Sequence, residues 1–270
     1  MKTYSLKCKL YSAILSRTMN QREGEGKLSV PSERIRRELT RREKLFKELG
    51  TGKTPHSLQL AEEFIQLIPA KANILDIGCG SGDKLFRLVC GTDRKGLGVD
   101  INPREIMFAE QKFTSANLQF IEADGTDLTF IADNYYDCIT MTGVIGAVEP
   151  EVRNDLLSES YRLLKPGGKL AIADFKLSDD SEQIRKYLED MKETGEYGTR
   201  VIRDPAGNII FIGTHFAKEN LEGLFRNAGF SNIQIREHSI TSAVLDYEAK
   251  TRQQYTVWAG KEPNVCNAEH

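Results

Sequence analysis

Long apolar runs are missing from this sequence of 270 residues, since none approaches the ~20 consecutive apolar residues that a membrane-spanning helix needs. A transmembrane span is therefore not expected. An excess of one charge is missing too, because 37 basic residues nearly balance 39 acidic ones and leave a formal net charge of −2. That balance gives no general attraction to nucleic acid or to an anionic membrane, so nucleic acid is not expected as a partner.

Cysteine pairs are also missing. The five cysteines show no C-x-x-C pairing and no Cys/His spacing typical of a metal site, so no metal is expected. Three of them fall in apparent core elements, which favours a reducing compartment and a cytoplasmic location. The cysteines are Cys8, Cys79, Cys90, Cys138 and Cys266.

Acidic residues are absent from the start of the chain, where Glu23 is the first. The lysines, arginine and serines before it resemble an organelle transit peptide. The apolar residues Leu6, Leu10, Ile14 and Leu15 equally fit a short amphipathic helix that packs over the domain. Both interpretations remain open.

Residues 1–50 are predicted to form an N-terminal helical extension. Pro31–Leu49 is a highly charged segment with helical spacing of its apolar residues, and Ser32 is a suitable N-cap. Its arginines could form a basic face for an acidic or polynucleotide substrate. Glutamates recur between the basic residues, however, which favours an ordinary solvated face.

The stretch Asn73–Asp83, N-I-L-D-I-G-C-G-S-G-D, joins a short apolar run to three closely spaced glycines. The apolar run predicts a buried strand. Gly78, Gly80 and Gly82 follow at alternate positions, where they let the backbone turn sharply and approach a ligand that a Cβ would exclude. The next segment, Asp83–Cys90, predicts a helix whose N-terminus faces that ligand. Together these features indicate a nucleotide-binding loop.

The glycine spacing separates this loop from a dinucleotide-binding one. In G-x-G-x-x-G the third glycine would stand at Asp83, whereas Gly82 comes one residue early. Asp76 lies on the strand and Asp100 ends the next one, and carboxylates repel a pyrophosphate. The pattern therefore favours a ligand with a ribose and a cationic amino-acid tail, and it disfavours a nicotinamide oxidoreductase.

With D-I-G-C-G-S-G the chain resembles the class I S-adenosylmethionine-dependent methyltransferases, whose motif I is a hydrophobic strand ending in D-x-G-x-G-x-G. Later motifs of that family follow in order, and the resemblance covers about Leu58–Lys261. They are G-L-G-V-D at 96–100, A-D-G-T-D-L at 123–128, Y-D-C-I-T-M at 136–141 and L-K-P-G-G at 164–168. The resemblance is to the small-molecule, ubiquinone-methyltransferase-like type.

The resemblance implies an α/β fold with a Rossmann-like seven-stranded sheet and helices on both faces. The methyltransferase domain is expected at 51–262, before a tail at 263–270. Residues 176–215 depart from the minimal family plan. There a polar helix at Asp180–Glu193 and two β-like runs around a turn predict a helix-hairpin insertion after strand 5. In this family such insertions commonly cover the acceptor pocket.

Three local features are expected as well. A helix is predicted over about Leu58–Ile68. Lys165–Gly168 is predicted to be a tight turn that ends a helix before a strand at Lys169–Phe175. A short helix is expected after Asp124, with Asp124 or Asp127 as its N-cap.

The resemblance also assigns S-adenosyl-L-methionine as the cofactor. Asp100 stands where the family has a carboxylate that accepts hydrogen bonds from both ribose hydroxyls, and Asp124 where it has an acidic residue near the adenine amino group. The expected cofactor-binding residues are Asp76, Gly78, Cys79, Gly80, Gly82, Asp100, Ile101, Asp124, Gly125 and Thr142.

The acceptor is left open by the sequence. The tetrapeptide [N/D/S]-P-P-[Y/F/W], with which nucleic-acid and glutamine N-methyltransferases grip a planar amino group, is absent after the fourth strand. This favours a small-molecule acceptor, with oxygen, nitrogen or carbon as the methylated atom. A protein of this fold that binds the cofactor or a partner without turnover is the alternative.

Methyl transfer needs alignment and, for some acceptors, one base. His56 and His215 are the candidate catalytic bases, and either could equally be a structural or exposed histidine. The insertion supplies candidates to line the acceptor pocket, namely Tyr187, Tyr197, Arg200, Arg203 and His215.

Overall fold

The computed structural model describes residues 40–48, 58–242 and 250–263, which all belong to one compact unit, Glu38–His270. Its strands are β1 (Asn73–Ile77), β2 (Lys95–Asp100), β3 (Leu118–Glu122), β4 (Tyr136–Thr142), β5 (Leu164–Phe175), β6 (Thr199–Arg203), β7 (Ile209–Thr214), β8 (Ser231–Ser242) and β9 (Lys250–Gly260). Seven of them form one sheet in the order β3-β2-β1-β4-β5-β9-β8. β6 and β7 pair separately.

The helices in these residues are α1 (Arg41–Glu48), α2 (Glu62–Ile65), α3 (Asp83–Val89), α4 (Pro103–Lys112), α5 (Pro150–Leu163), α6 (Ser181–Thr194) and α7 (Lys218–Asn227). A single 3₁₀ turn, Ile145–Ala147, follows β4. Of the expected Pro31–Leu49 helix, α1 is the part that the structure describes. Cys8, His56 and Cys266 lie outside the described residues.

The sheet is parallel from β1 to β5, and β9 runs antiparallel to β5 and β8. Neighbouring residues of β1 point to opposite faces, so Ile74 packs in one apolar cluster and Leu75 in another. The first cluster includes residues of α3 and α4, and the second includes residues of α5 and α7. Helices therefore cover both faces, and the predicted seven-stranded α/β architecture is confirmed.

The insertion after β5 has the predicted helix and hairpin. Asp180 caps α6, because its side chain accepts a hydrogen bond from the Gln183 backbone N–H. Gly195 ends the helix in a left-handed conformation. β6 and β7 then pair antiparallel around a turn in which the Asp204 backbone N–H donates to the Asn208 carbonyl at 2.9 Å.

The predicted helix over Leu58–Ile68 is wrong in extent, because only Glu62–Ile65 is helical. Side chains of β9 hold the preceding residues extended. The Gln254 side chain bonds both the N–H and the carbonyl of Gln59, and the Thr256 hydroxyl accepts from the Ala61 N–H at 3.0 Å. The bond to the Gln59 carbonyl uses a group that a helix would need internally, and the bonds to the two N–H groups hold the segment against β9. The local sequence gives no sign of these bonds.

Two other local expectations are corrected. Lys165–Gly168 is not a turn between a helix and a strand, because β5 begins at Leu164 and contains it as an irregularity in the pairing with β4. The Gly167 N–H donates to the Lys261 carbonyl, which ties this segment to the exit of β9. No helix follows Asp124 in the described residues. Its Oδ1 accepts from the Thr126 N–H and hydroxyl, which makes a tight polar turn.

No helix among the residues that the structure describes is both long enough and apolar enough to cross a bilayer.

Candidate functional site

The carboxyl ends of β1 to β5 meet at one edge of the sheet, because these strands are parallel. After β1 the chain builds outward on one side through β2 and β3, and then returns to the other side with β4 and β5. In open α/β sheets, ligands bind in the crevice at this point of reversal. The glycine loop that follows β1 lies there.

The glycine loop has a conformation that L-residues with a side chain rarely adopt. Gly78, Gly80 and Gly82 have φ of +69°, +50° and +80°. The Gly78 and Cys79 N–H groups both donate to the Val99 carbonyl, which fixes the loop against the end of β2. This geometry confirms the sharp turn that the sequence predicts.

The space next to two of these glycines is filled by protein. A Cβ on Gly78 would lie 2.3 Å from Cγ2 of Val144, and one on Gly82 would lie 2.5 Å from Cζ of Phe120. The sequence interpretation assigned the missing Cβ atoms to close approach by a ligand. At these two positions, neighbouring side chains of the protein already require glycine.

Asp100 joins the end of β2 to the glycine loop. Its Oδ2 accepts from the Gly80 N–H and its Oδ1 from the Asn102 N–H, each at 2.8 Å. Burial raises the pKa of Asp100, and hydrogen bonds from these backbone groups and from Ile101 act in the opposite direction. A carboxylate oxygen can accept more than one hydrogen bond, so Asp100 retains acceptor capacity.

Asp124 and Gly125 lie at the end of the adjacent strand. The Ala123 N–H donates to the Asp100 carbonyl at 3.0 Å, which brings the segment after β3 next to the end of β2. Gly125 packs on β1, since a Cβ there would lie 2.5 Å from Cγ2 of Ile77. The two predicted acidic residues, Asp100 and Asp124, thus follow neighbouring strands at one edge.

Asp76 and Cys79 are buried more deeply. Asp76 accepts a hydrogen bond from the Thr140 hydroxyl at 2.7 Å. Burial raises its pKa to about 6, although the Thr140 bond and the charge of Lys84 act against the rise. Burial also raises the pKa of the Cys79 thiol well above its usual value, which suits packing and not nucleophilic chemistry.

Thr142 ends β4 and has a buried hydroxyl. Its Oγ1 has no hydrogen-bond partner among the described residues. Native structures rarely leave a buried polar atom unpaired, so a ligand group is a natural partner for it. The next residue, Gly143, has a φ of +72°, and a Cβ there would lie 3.1 Å from Cδ1 of Leu58.

A second group of side chains lies beyond the end of β5. The Tyr187 hydroxyl is 2.7 Å from Nδ1 of His215, and the ring centroids of His215 and Phe175 are 5.1 Å apart. The Ser178 N–H donates to the same tyrosine hydroxyl, so we assign the O–H proton to the bond with Nδ1 and the imidazole proton to Nε2. Burial lowers the pKa of His215 to about 3, with Arg252 and Arg200 contributing, so the ring is neutral at pH 7.

The other candidates for the acceptor side form no hydrogen bond with Tyr187 or His215 among the described residues, although the ring centroids of Tyr197 and Tyr187 are 5.8 Å apart. Arg200 forms an ion pair with Asp190 at 2.7 Å, within the insertion. Arg203 pairs with Glu193 at the surface, and Tyr197 is 42% exposed. Of the predicted lining residues, Tyr187 and His215 are therefore the two in direct hydrogen-bond contact.

Sequence reasoning missed three charged residues around this edge. Asp174, at the end of β5, is buried and accepts from the Gly146 N–H at 2.8 Å, and burial raises its pKa to about 6. Arg252, on β9, places its guanidinium carbon 5.7 Å from the Phe175 ring centroid. Glu196 binds two buried arginines. No motif marks these residues, because their roles depend on strand pairing between distant segments.

The Glu196 cluster fixes the turn after β4. Glu196 pairs with Arg42 of α1 at 3.0 Å and with Arg153 of α5. Both arginines also donate to the Val148 carbonyl and to the Thr214 hydroxyl. Burial alone would raise the pKa of Glu196, but bonds and charges of the arginines hold it below its usual value.

The comparisons with known proteins agree with this geometry. A family profile described as a methyltransferase domain matches residues 74–168. The ubiquinone/menaquinone biosynthesis C-methyltransferase of Klebsiella pneumoniae is 27% identical over 191 residues, covering 64% of this chain and 70% of that protein. The protein of the same name from Serratia proteamaculans is 29% identical over 173 residues, covering 59% of this chain and 66% of that protein.

A solved structure of an S-adenosylmethionine-dependent methyltransferase from Methanosarcina mazei superimposes with a TM-score of 0.66 at 25% identity. The superposition covers 76% of this chain and 100% of the Methanosarcina mazei chain. The chain contains a methyltransferase domain, and these similarities support a class I S-adenosylmethionine-dependent methyltransferase. The matched sequence segment runs from β1 into the start of β5 and so includes the carboxyl ends of β1 to β4.

Proposed function

We propose that this methyltransferase binds S-adenosylmethionine in the crevice at the ends of β1 to β4 and transfers its methyl group to a small-molecule acceptor. The observation that carries the proposal is the meeting, at one edge, of the glycine loop, two acidic residues and an unpartnered buried hydroxyl. The acidic residues are Asp100 and Asp124, and the hydroxyl is that of Thr142.

The residues present fit this cofactor. Asp100 has acceptor capacity for the ribose hydroxyls, and Asp124 offers an acceptor for an adenine amino group. Asp76, Cys79 and Ile101 complete the proposed surroundings together with Gly78, Gly80, Gly82 and Gly125. Asp76 and Cys79 are buried beneath the loop, and Asp76 accepts a hydrogen bond from Thr140. We propose that these two residues support the loop.

S-adenosylmethionine supplies, when bound, a methyl group on a sulfonium, which is a good leaving group. The protein then has to align the acceptor and exclude water. We propose that the group beyond β5, with Phe175, Tyr187 and His215, does this under the helix-hairpin insertion. The low pKa of His215 makes it a weak base, and we propose that it orients the acceptor through Nε2–H.

The named relatives methylate carbon in ubiquinone and menaquinone biosynthesis. We propose electron-rich carbon as the first acceptor atom to test, with oxygen and nitrogen acceptors in the same panel. Release of S-adenosylhomocysteine that depends on an acceptor would support turnover. Binding of S-adenosylhomocysteine without turnover on any acceptor would favour the alternative, a cofactor- or partner-binding protein of this fold.

Substitution of Asp100 tests the cofactor site. Asp100→Ala is expected to weaken S-adenosylhomocysteine binding by about 1–3 kcal/mol, because a charged acceptor is lost. Isothermal titration calorimetry measures this. Asp127→Ala is the matched control, since Asp127 is exposed in the loop after β3, and it should leave the affinity unchanged. Equal affinity of wild type and Asp100→Ala would remove Asp100 from the site.

A further inference from the structure

We propose that the methyl acceptor carries a carboxylate or a similarly planar oxyanion, and that Arg252 binds this group. The inference rests on the proposed function, since it names the acceptor class for the same site. It is built on the position of Arg252, the charges around it and the apolar side chains beside it.

Arg252 lies at the ligand edge of the sheet because β9 is antiparallel to β5. In that pairing Gln254 is opposite Phe175, the last residue of β5, so Arg252 lies beyond the strand's carboxyl end. The Lys176 N–H donates to the Gln253 carbonyl at 3.0 Å, which extends the contact between the two chain segments one residue beyond β5. The guanidinium then lies over Phe175, 5.7 Å from the ring centroid.

The charge of Arg252 is not balanced by the part of the chain that the structure describes. No carboxylate there forms an ion pair or a hydrogen bond with it. Arg200, whose charge acts on Arg252, has its own partners: it donates to Asp190 at 2.7 Å and to Gln183 at 2.9 Å. Asp190 therefore neutralises Arg200, and Arg252 remains as one positive charge without a counter-charge among the described residues.

This arrangement costs the protein stability when nothing is bound. Arg252 is half-buried, and burial and the charge of Arg200 both lower its pKa. Burying a cation without a partner is unfavourable, and an apolar side chain would avoid that cost. A bound anion would remove it. The planar guanidinium also matches a carboxylate with two parallel hydrogen bonds, which a point charge cannot do.

Apolar side chains lie beside the cation. Leu58, Phe175 and Ile240 form a separate buried cluster, and the Cα of Ile240 is opposite Arg252 in the pairing of β8 with β9. Leu58 also lies next to Gly143, the residue after Thr142, so this cluster adjoins the proposed cofactor site. His215 is neutral and adds no second positive charge here. The surroundings thus fit a compact molecule with an apolar body and one anionic end.

The test uses probes matched in size and shape, one with a carboxylate and the other with a neutral amide. Benzoate, salicylate and 4-hydroxybenzoate are each compared with the corresponding neutral amide. Binding to the full chain saturated with S-adenosylhomocysteine is measured by ligand-observed NMR titration. We expect at least one acid to bind about ten-fold more tightly than its amide, since a charge-assisted bidentate pair is stronger than a neutral contact.

Three variants assign the effect to Arg252. Arg252→Met should bring the affinity for the acid down to that for the amide, and Arg252→Lys should keep part of the preference because it keeps the charge. Arg236→Met is the matched control, since Arg236 on β8 forms an exposed pair with Glu63 at 3.0 Å. The affinity for S-adenosylhomocysteine should stay the same in all three.

The outcomes separate the two proposals. Binding of S-adenosylhomocysteine without any preference for acids in the wild type would overturn the role of Arg252 and leave the proposed function intact. A loss of acid binding of the same size in Arg236→Met would also overturn it. Should Arg252→Met fail to fold, the comparison of acids with amides in the wild type and in Arg252→Lys still tests whether Arg252 binds the carboxylate. No binding of S-adenosylhomocysteine at all would overturn both proposals.

Discussion

At the residue scale, the position of Gly82 requires glycine for two independent reasons. Its φ of +80° lies in the left-handed region, and a Cβ would collide with the Phe120 ring. The sequence predicts the first reason, because the glycine spacing requires a sharp turn. It does not predict the second, since Phe120 belongs to β3 and reaches the loop only after β2 and β3 have paired.

Gly91 is the matched comparison for Gly82. It has a similar φ of +72°, but no atom lies within 4 Å of where its Cβ would be. Gly91→Ala is expected to lower the free energy of unfolding by about 1–2 kcal/mol through backbone strain alone. Gly82→Ala should lower it by about 2–5 kcal/mol, because overpacking against Phe120 adds to that strain. Urea denaturation measures both, and equal losses would mean that Phe120 moves away at no cost.

Asp100 illustrates a role that sequence reasoning predicted only in part. The sequence places an acidic residue at the end of β2, at the distance along the chain where a carboxylate meets a ribose in related folds. The structure adds that both its oxygens already hold backbone N–H groups of the protein. Its proposed contact with a ribose is therefore a second use of a carboxylate that also shapes the loop.

At the scale of elements, a buried ion cluster attaches the insertion to helices α1 and α5. Glu196 follows α6, and its side chain is 18% exposed, while those of Arg42 and Arg153 are 4% and 6% exposed. These residues come from three segments that are far apart in sequence. Their pairing could not be predicted from the sequence, because nothing local to Glu196 distinguishes it from the exposed glutamates of α6.

Glu196→Gln is expected to lower the free energy of unfolding by about 2–4 kcal/mol, because it leaves two buried arginines without a counter-charge. Glu193→Gln provides the control from the same segment. Glu193 pairs with Arg41 and Arg203 at the surface with its side chain 37% exposed, so its loss should cost less than about 1 kcal/mol. Chemical denaturation of the two variants compares them. Similar losses would show that the buried cluster contributes no more than a surface pair.

Strands and helices were predicted best where their pattern is local. The apolar run before Gly78 forms the predicted strand β1, and the helix and hairpin of the insertion are confirmed. The segment before α2 was predicted wrongly, because Gln254 and Thr256 of β9 bind its backbone. Propensity describes what a segment prefers alone, and these hydrogen bonds come from residues about 195 positions away.

At the scale of the whole molecule, ligand binding should stabilise the fold. A ligand that binds only the folded state adds about 2.7 kcal/mol at a hundred times its dissociation constant, a shift of about 5–10 °C in Tm for a domain of this size. We expect S-adenosylhomocysteine to produce such a shift and NAD at the same concentration to produce none, because Asp76 and Asp100 disfavour a pyrophosphate. Differential scanning calorimetry measures both. An equal shift with NAD would contradict the ligand class inferred from the glycine spacing.

By itself the sequence determined the loop after β1 and, through its resemblance to a known family, the fold class, because apolar runs, glycine spacing and strand-end carboxylates are local patterns. The tertiary structure alone decided which distant groups meet at the ligand edge. Arg252 contacts Phe175 and Gln254 binds Gln59 because β9 runs antiparallel beside β5. Glu196 binds two arginines because the insertion packs against the turn after β4. The physical reason is that an unpaired charge or backbone group depends on its surroundings in space, and those surroundings exist only once the strands have paired.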